Sequence, residues 1–256
     1  MTADPPGGPG PDPGADLRVR PPPPETAAWL YDLVHEAEGK DYGGEAEAVL
    51  ALIQARRPGA RDLLDVACGT GRHLEHFAGR LACTGVDLDP AMLDRARRRC
   101  PGVTLVRADM TDLALDGGFD VVTCLFSAIG YVGTRARLDA ALRAMARHLR
   151  PGGVLVVEPW FRPELWLAGF TALSTVEGAE STVARLSVSG RRGALALLDF
   201  HFLVASGAVV EHFVEHHELG LFGWDDYLDA ARRAGLDATM DPSGLTGRGL
   251  LVATAP

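Results

Sequence analysis

The chain has 256 residues, 47% of them hydrophobic, which is enough for one large domain with a buried core. Its formal net charge of −9 argues against DNA or RNA as the main partner, and it lacks the run of about 20 apolar residues that spans a bilayer. MTADPPGGPG at the N-terminus has neither the basic nor the apolar region of a secretory signal, so the protein is expected in the cytoplasm, and Cys68, Cys83, Cys100 and Cys124, with no CxxC pair, read as free thiols.

Nine of the 17 prolines precede Glu25, interleaved with glycine. Residues 1–24 have little to bury and lack many backbone donors, so they read as a disordered tail ahead of a domain spanning 25–256. From Leu63 onward, strand-like and helix-like pieces alternate. Leu63 to Cys68 is the first expected strand, followed by a glycine turn and a helix from about Arg72. Leu81 to Val86 is the second, after which Asp89-Pro90 supplies an N-cap and N1 proline for a helix through Arg99. Val103 to Ala108 and the apolar run Phe119 to Phe126 follow. Leu138, Leu142, Met145 and Leu149 share a helical face, Pro151-Gly152-Gly153 is expected to end that helix, and Val154 to Glu158 is the next strand. Strands separated by helices imply a parallel sheet. The pattern changes after Glu164, and three extended runs (Thr182 to Val188, Ala194 to Val204, Val209 to Leu219) predict an antiparallel meander inserted at about 180–220. A helix from Trp224 to Ala234 and strands Leu236 to Met240 and Leu250 to Thr254 close the fold.

Three strand ends carry groups suited to an adenosine-containing ligand. Asp65-Val66-Ala67-Cys68-Gly69-Thr70-Gly71 turns from the first strand into a helix, and its glycines admit a ligand close to the backbone. Taken alone it is also a generic tight turn. A dinucleotide site would want a third glycine where Leu74 stands, which disfavours an NAD-dependent oxidoreductase. Asp87 ends the second strand and can accept both ribose hydroxyls, or cap the next helix; Asp89 before Pro90 is the better cap. Asp109 can accept from an adenine amino group while Met110 packs on the ring.

These residues resemble the motifs of class I S-adenosylmethionine (SAM)-dependent methyltransferases, in order, together with Phe119-Asp120-Val121-Val122 and Leu149-Arg150-Pro151-Gly152-Gly153. The resemblance implies an α/β fold, a Rossmann-like sheet flanked by helices with the small antiparallel meander inserted. From Trp29 to Ala255 the chain further resembles the N-methyltransferases of dTDP-linked amino-deoxysugars in antibiotic pathways. That closer likeness rests on Tyr31-Asp32-Leu33, Gly39-Lys40-Asp41-Tyr42, His73-Leu74-Glu75-His76-Phe77, Phe126-Ser127-Ala128-Ile129-Gly130-Tyr131, Val157-Glu158-Pro159-Trp160 and Gly247-Arg248-Gly249-Leu250. It implies SAM as cofactor, held by Tyr31, Tyr42, Asp65, Ala67, Gly69, Gly71, Asp87, Leu88, Met92, Asp109, Met110 and Phe126. It also implies a nucleotide-sugar substrate with Arg248 near its diphosphate, an N-terminal helix over SAM, and a homodimer. The chain departs from that family by an extra Leu245-Thr246 and by Trp160-Phe161 in place of Trp-Trp. A tyrosine expected about eight residues before Tyr31 is replaced near Pro23. All three lie toward the acceptor. An O- or N-methyltransferase for another small metabolite, or a SAM-binding regulator without turnover, remains the alternative.

On the acceptor side, Tyr131 follows Gly130 at the ligand edge and either orients the amine or packs under the lid. Glu158 either attracts the ammonium form or holds a sugar hydroxyl, or caps a loop. Trp160 either stacks on sugar or thymine or belongs to the core. Arg248, in a glycine-flanked loop, has the planar fork that suits phosphate oxygens. No metal is expected: His212 and His216 share a strand face, with His217 beside them, but no H-E-x-x-H is present. His73 and His76 read as surface or packing residues, and Arg95, Arg97, Arg98 and Arg99 as a solvated helix face.

Overall fold

The computed structural model describes residues 19–178 and 180–256, and the structural statements below concern those residues. The chain runs β1 (Val19–Arg20), α1 (Pro24–Ala37), α2 (Tyr42–Arg56), β2 (Asp62–Val66), α3 (Arg72–Phe77), β3 (Ala82–Asp87), α4 (Pro90–Arg99), β4 (Thr104–Arg107) and β5 (Phe119–Cys124). A 3-10 turn (Ala128–Val132) leads into α5 (Arg135–Arg147), β6 (Leu149–Val157), β7 (Thr171–Glu177), β8 (Thr182–Arg192), β9 (Leu195–Ser206) and β10 (Val209–Gly220). α6 (Trp224–Arg233), β11 (Asp237–Asp241) and β12 (Leu250–Thr254) complete it.

A seven-stranded sheet of order β11-β12-β6-β5-β2-β3-β4 forms the centre, with β12 antiparallel to both its neighbours and the other pairings parallel. Its central strands β2, β5, β6 and β12 carry runs buried on both faces, which fits a sheet covered on both sides. Leu64, Val66, Val122, Leu155 and Val157 point to the side of α5 and α6, against Leu138, Leu142, Met145 and Tyr227. Leu63, Val121, Val154 and Val156 point to the side of α2 and α3, against Val49, Ile53, Leu74 and Phe77. Chain direction reverses its progress across the sheet between β2 and β5, so the crevice beyond their carboxyl ends is the place where such a sheet takes a ligand.

Helix starts follow local chemistry. Asp89 accepts from the Ala91 N–H at 2.8 Å with Pro90 at the first helical position, and Asp41 accepts from the Gly44 N–H at 2.8 Å. The end of α5 differs from the expectation. His148, not Pro151-Gly152-Gly153, caps it: its Nδ1–H donates to the Ala144 carbonyl at 2.7 Å and its Nε2 accepts from the Leu115 N–H at 3.1 Å. Strand β6 then begins at Leu149 and carries the Pro-Gly-Gly as a bulge between the pairs Phe119↔Leu149 and Val121↔Val154.

The second sheet, of order β1-β10-β9-β8-β7, corrects two further expectations. The antiparallel insertion starts at Thr171 rather than near residue 180, because β7 pairs with β8 along its whole length. Its alternating half-buried Ala172, Ser174 and Val176 are too small to announce a strand. Of the expected disordered tail, residues 19–24 take part in the fold. Val19 and Arg20 pair in parallel with His212 and Phe213, Arg20 forms an ion pair with Glu211, and Pro24 is the first residue of α1. Residues 1–18 of that tail lie outside the described residues. Helix α1 packs Leu30 and Val34 onto Val183, Phe202, Val204 and Phe213 of this sheet.

Candidate active site

The turn after β2 is built around left-handed backbone at Ala67 (φ +58°), Gly69 (φ +56°) and Gly71 (φ +81°). Gly71 has a second constraint: a Cβ there would stand 3.2 Å from the Cβ of Ala96 on α4. Asp87 ties the turn to β3, accepting from the Gly69 N–H at 2.8 Å on one oxygen and from the Asp89 N–H at 2.9 Å on the other. Burial pushes its pKa up. Asp65 is 2% exposed and accepts from the Thr123 hydroxyl at 2.8 Å. No cation lies within ion-pair distance of it among the described residues, and burial raises its pKa to about 6.

Asp65, Ala67, Gly69 and Thr70 line one wall of a cavity closed on the other side by Tyr31, Tyr42, His73 and Phe126. Phe126 packs edge-on to Tyr31 (6.2 Å), His35 (5.0 Å) and Tyr42 (6.1 Å), and the Lys40 ammonium sits 4.2 Å from its ring centroid. Burial pushes the Tyr42 hydroxyl up to about 12 and that of Tyr31 well above the ordinary tyrosine value, so both stay protonated donors. The buried Tyr42 Oη has no hydrogen-bond partner among the described residues. An orphaned donor, a buried carboxylate without a cation and open space beside Gly69 fit the carboxylate and ammonium of an amino-acid tail such as that of SAM.

Two features of this wall were not foreseen. His73, expected at the surface or in packing, is 7% exposed, lines the cavity and bonds Glu45 Oε2 through Nε2 at 2.9 Å. The basic run on α4 is not simply solvated. Arg95 Nε and Arg99 Nη2 donate to Asp32 at 3.0 and 2.8 Å, while Arg97 pairs with Asp94 on the surface. Asp32 also accepts from the Thr70 hydroxyl at 2.6 Å, so it fastens α1 to the glycine turn. The i, i+4 spacing of Arg95 and Arg99 was the available signal.

Asp87 ends β3 and the 58%-exposed Leu88 follows it, Met92 lies in the first turn of α4, and Asp109-Met110 follow β4, all beyond the carboxyl ends of β3 and β4. Asp109 accepts from the Thr111 N–H and hydroxyl, each at 2.8 Å, and from Arg137 at 3.2 Å. Those hydrogen bonds, the Thr111 N–H foremost, hold its pKa below the ordinary carboxylate range. Met110 is half-buried against the core.

The acceptor candidates separate by burial. Tyr131 is 53% exposed and its hydroxyl lies 2.9 Å from His217 Nδ1, within hydrogen-bond distance. Glu158 is fully buried: Oε2 accepts from the Phe126 N–H at 2.7 Å and Oε1 from the Thr246 hydroxyl at 2.5 Å. Its carboxylate is thus committed to positioning Phe126 and the Thr246 loop instead of being presented to an amine, because Phe126 and Ser127 hold left-handed backbone (φ +52° and +60°) that needs an anchor. Thr246 belongs to the extra pair of residues noted in the sequence. Ser127 donates to the Pro159 carbonyl at 2.6 Å and accepts from Arg248 Nη1 at 2.8 Å. The Arg248 guanidinium lies over Trp160 (5.1 Å) and Phe161 (5.0 Å) and forms no ion pair among the described residues. Trp160 is half-buried with Phe161 and Trp166, and its Nε1–H lacks an acceptor. The meander histidines are occupied pairwise: His201 Nδ1 meets His212 Nε2 at 3.2 Å, and His216 Nδ1 meets Asp199 at 2.7 Å.

Comparison with known proteins agrees with this geometry. Residues 63–153 match the family model described as a methyltransferase domain. A relative from Streptomyces fradiae, named dTDP-3-amino-3,6-dideoxy-alpha-D-glucopyranose N,N-dimethyltransferase, is 45% identical over 225 residues, covering 87% of this chain and 88% of its own length. The crystal structure of Streptomyces venezuelae DesVI superimposes with a TM-score of 0.86 at 42% identity, over 90% of this chain and 98% of that one. A SAM-bound amino pentose methyltransferase from Micromonospora echinaspora, involved in calicheamicin biosynthesis, superimposes with a TM-score of 0.82 at 43% identity, over 89% of this chain and 97% of that one. A two-walled cavity at the switch point of a parallel sheet, and similarity that runs through nearly the whole of both chains, lead to one assignment: the chain is a class I SAM-dependent methyltransferase and belongs to the family of amino-deoxysugar N-methyltransferases.

Proposed function

We propose that the enzyme methylates the amino group of a dTDP-linked amino-deoxysugar in a secondary-metabolite pathway, and that Arg248 carries the choice of substrate class. The observation behind this is a half-buried guanidinium with no ion-pair partner among the described residues, stacked on Trp160 and Phe161 and bonded to Ser127 next to the cavity wall. Burial lowers its pKa, as expected for a cation kept from water until an anion arrives. A bidentate diphosphate suits that fork, and the orphaned Trp160 Nε1–H offers a donor to a substrate oxygen.

SAM, when bound, supplies an electrophilic methyl group on a sulfonium. Asp65 would pair with its ammonium, Tyr31 and Tyr42 would donate to its carboxylate, Asp87 would accept from the ribose hydroxyls, and Leu88, Met92, Asp109 and Met110 would meet the adenine. The chain's own task is then alignment: Tyr131 directs the amine lone pair, Glu158 and Ser127 fix the Phe126 corner between the two ligands, and α1 excludes water. Placement of this kind supplies about 7–11 kcal/mol in intramolecular analogues.

The test is mass spectrometry of a panel of dTDP-amino sugars incubated with enzyme and SAM. A gain of one or two methyl groups is expected; no gain on any of them, with turnover of another metabolite, refutes the substrate class. We further propose a cytoplasmic homodimer. No described helix is long and apolar enough to cross a membrane. The outer face of the meander exposes Leu173 (69%), Leu186 (41%) and Leu203 (42%), an apolar patch of the kind that subunits cover.

A further inference from the structure

We propose that His217, backed by Glu215, is a positioning residue that draws the proton from the acceptor amine through Tyr131. The inference rests on the methyl-transfer reading of the site. Residues 213, 215, 217 and 219 of β10 share its inner face, where Phe213 and Leu219 are 2% and 4% exposed. Glu215 and His217 hold the same register with side chains only 21% and 24% exposed. An apolar pair would dock the meander on the rim without the desolvation cost of polar groups there.

The contacts form a chain. Tyr131 Oη meets His217 Nδ1 at 2.9 Å, and His217 Nε2 faces Glu215 Oε2 at 3.4 Å. One tautomer, protonated at Nε2, satisfies both contacts. The other surroundings leave Glu215 as the charged group next to the ring. On β9, Phe200 packs 5.1 Å from it and separates it from Arg185 of β8, which lies 5.2 Å from the Phe200 ring and pairs with Glu38 of the segment after α1. The neighbouring His216 and Glu218 pair elsewhere, with Asp199 and Arg192. The 3-10 turn contributes Tyr131 itself.

The balance closes at each step. As the C–N bond forms, the methyl–sulfur bond breaks with its electron pair left on sulfur, and the nitrogen sheds one proton per methyl. An amine N–H that donates to Tyr131 Oη passes its proton there as the phenolic proton moves to His217 Nδ1. The Glu215 carboxylate balances the imidazolium, and the partly exposed ring returns the proton to water.

The experiment is the pH profile of methyl transfer for wild type, His217→Asn and Glu215→Gln. His217→Asn is expected to lower kcat about 100-fold near neutral pH. The deficit should shrink as rising pH deprotonates the amine in solution, with sugar KM and SAM affinity unchanged. Glu215→Gln should act in the same direction and less strongly. A deficit equal at every pH, or one confined to KM, overturns the relay and leaves a docking contact. Nitrogen NMR of the histidine rings gives a readout free of turnover: the Nε2-protonated tautomer is expected, with a titration that shifts in Tyr131→Phe and in Glu215→Gln. The opposite tautomer, or a titration that neither variant moves, overturns it. A wild-type enzyme inactive on every amino sugar would refute the substrate assignment, and the NMR result would still decide the relay contacts.

Discussion

In the role proposed for it, Asp65 would make cofactor binding pH-dependent through a single buried carboxylate. Its folded pKa of about 6 lies above the unfolded value. Between roughly pH 4 and that value the folded protein keeps a proton that the unfolded chain has released, so stability falls as pH rises through the window. Pairing with the SAM ammonium favours the ionised form, so SAM affinity should increase from about pH 5 to about pH 7, with proton release on binding at the acid end. Calorimetry in buffers of different ionisation heat measures both. Asp65→Asn should weaken SAM about 10- to 100-fold, the loss of one charge-assisted contact, and should abolish the pH dependence. Asp87→Ala should be comparably severe for SAM, because it also frees the Gly69 and Asp89 N–H groups. Arg248→Ala should raise the sugar-nucleotide KM and leave SAM affinity nearly intact; equal effects on both ligands would refute separate subsites. Asp65, Asp87 and Arg248 were visible in the sequence because glycine turns and strand ends mark positions. Glu158 was visible as a rim residue but not in its orientation, since nothing local foretells that Phe126 N–H and the Thr246 hydroxyl occupy its two oxygens.

At the scale of elements, one buried acid on α1 ties the helix to the glycine turn and to α4. Asp32 is 3% exposed and gathers Thr70, Arg72, Arg95 and Arg99. Burial pushes its pKa up, but the hydrogen bonds from Arg99 and Thr70 prevail and hold it below the ordinary carboxylate value. This latch is therefore fully present above the unfolded carboxylate pKa and fails as pH falls through the lower folded one. Asp32→Ala removes the acceptor shared by Arg72, Arg95 and Arg99, of which Arg72 keeps Glu36 and Arg99 keeps Glu75, and should cost about 3 kcal/mol in denaturant unfolding. Protease cleavage near Gly39 should quicken as α1 loosens; an unfolding midpoint and cleavage rate equal to wild type would refute the latch. The parallel strands and α4 were readable from apolar runs and the Asp-Pro cap. The latch was not, because a charge run reads as a solvated face until a buried acid on a distant helix is brought against it. Likewise β7 carries no local signal: strand pairing with β8, not hydrophobicity, makes it a strand.

Across the whole molecule, the proposed function assigns the central sheet and its rim to the cofactor, and the meander and the loop around Arg248 to the acceptor. The central sheet was legible because both its faces are buried and its strands are correspondingly apolar. The meander was harder to bound, since its outer face is exposed and its edges depend on partners far away in sequence. If that outer face joins two subunits, Leu186→Asp with Leu203→Asp should turn a dimer into a monomer by light scattering; an unchanged mass would place the interface elsewhere. The short strand β1 has its own consequence. Val19 and Arg20 cover the outer hydrogen-bonding edge of β10 at His212 and Phe213. A shortened expression product that starts at Pro21 would bare that edge, and an uncapped strand zips onto foreign backbones. Such a trimmed enzyme is expected to keep its catalytic residues and yet come out of solution, so crystallisation trials are better begun with the proline-rich leader left on.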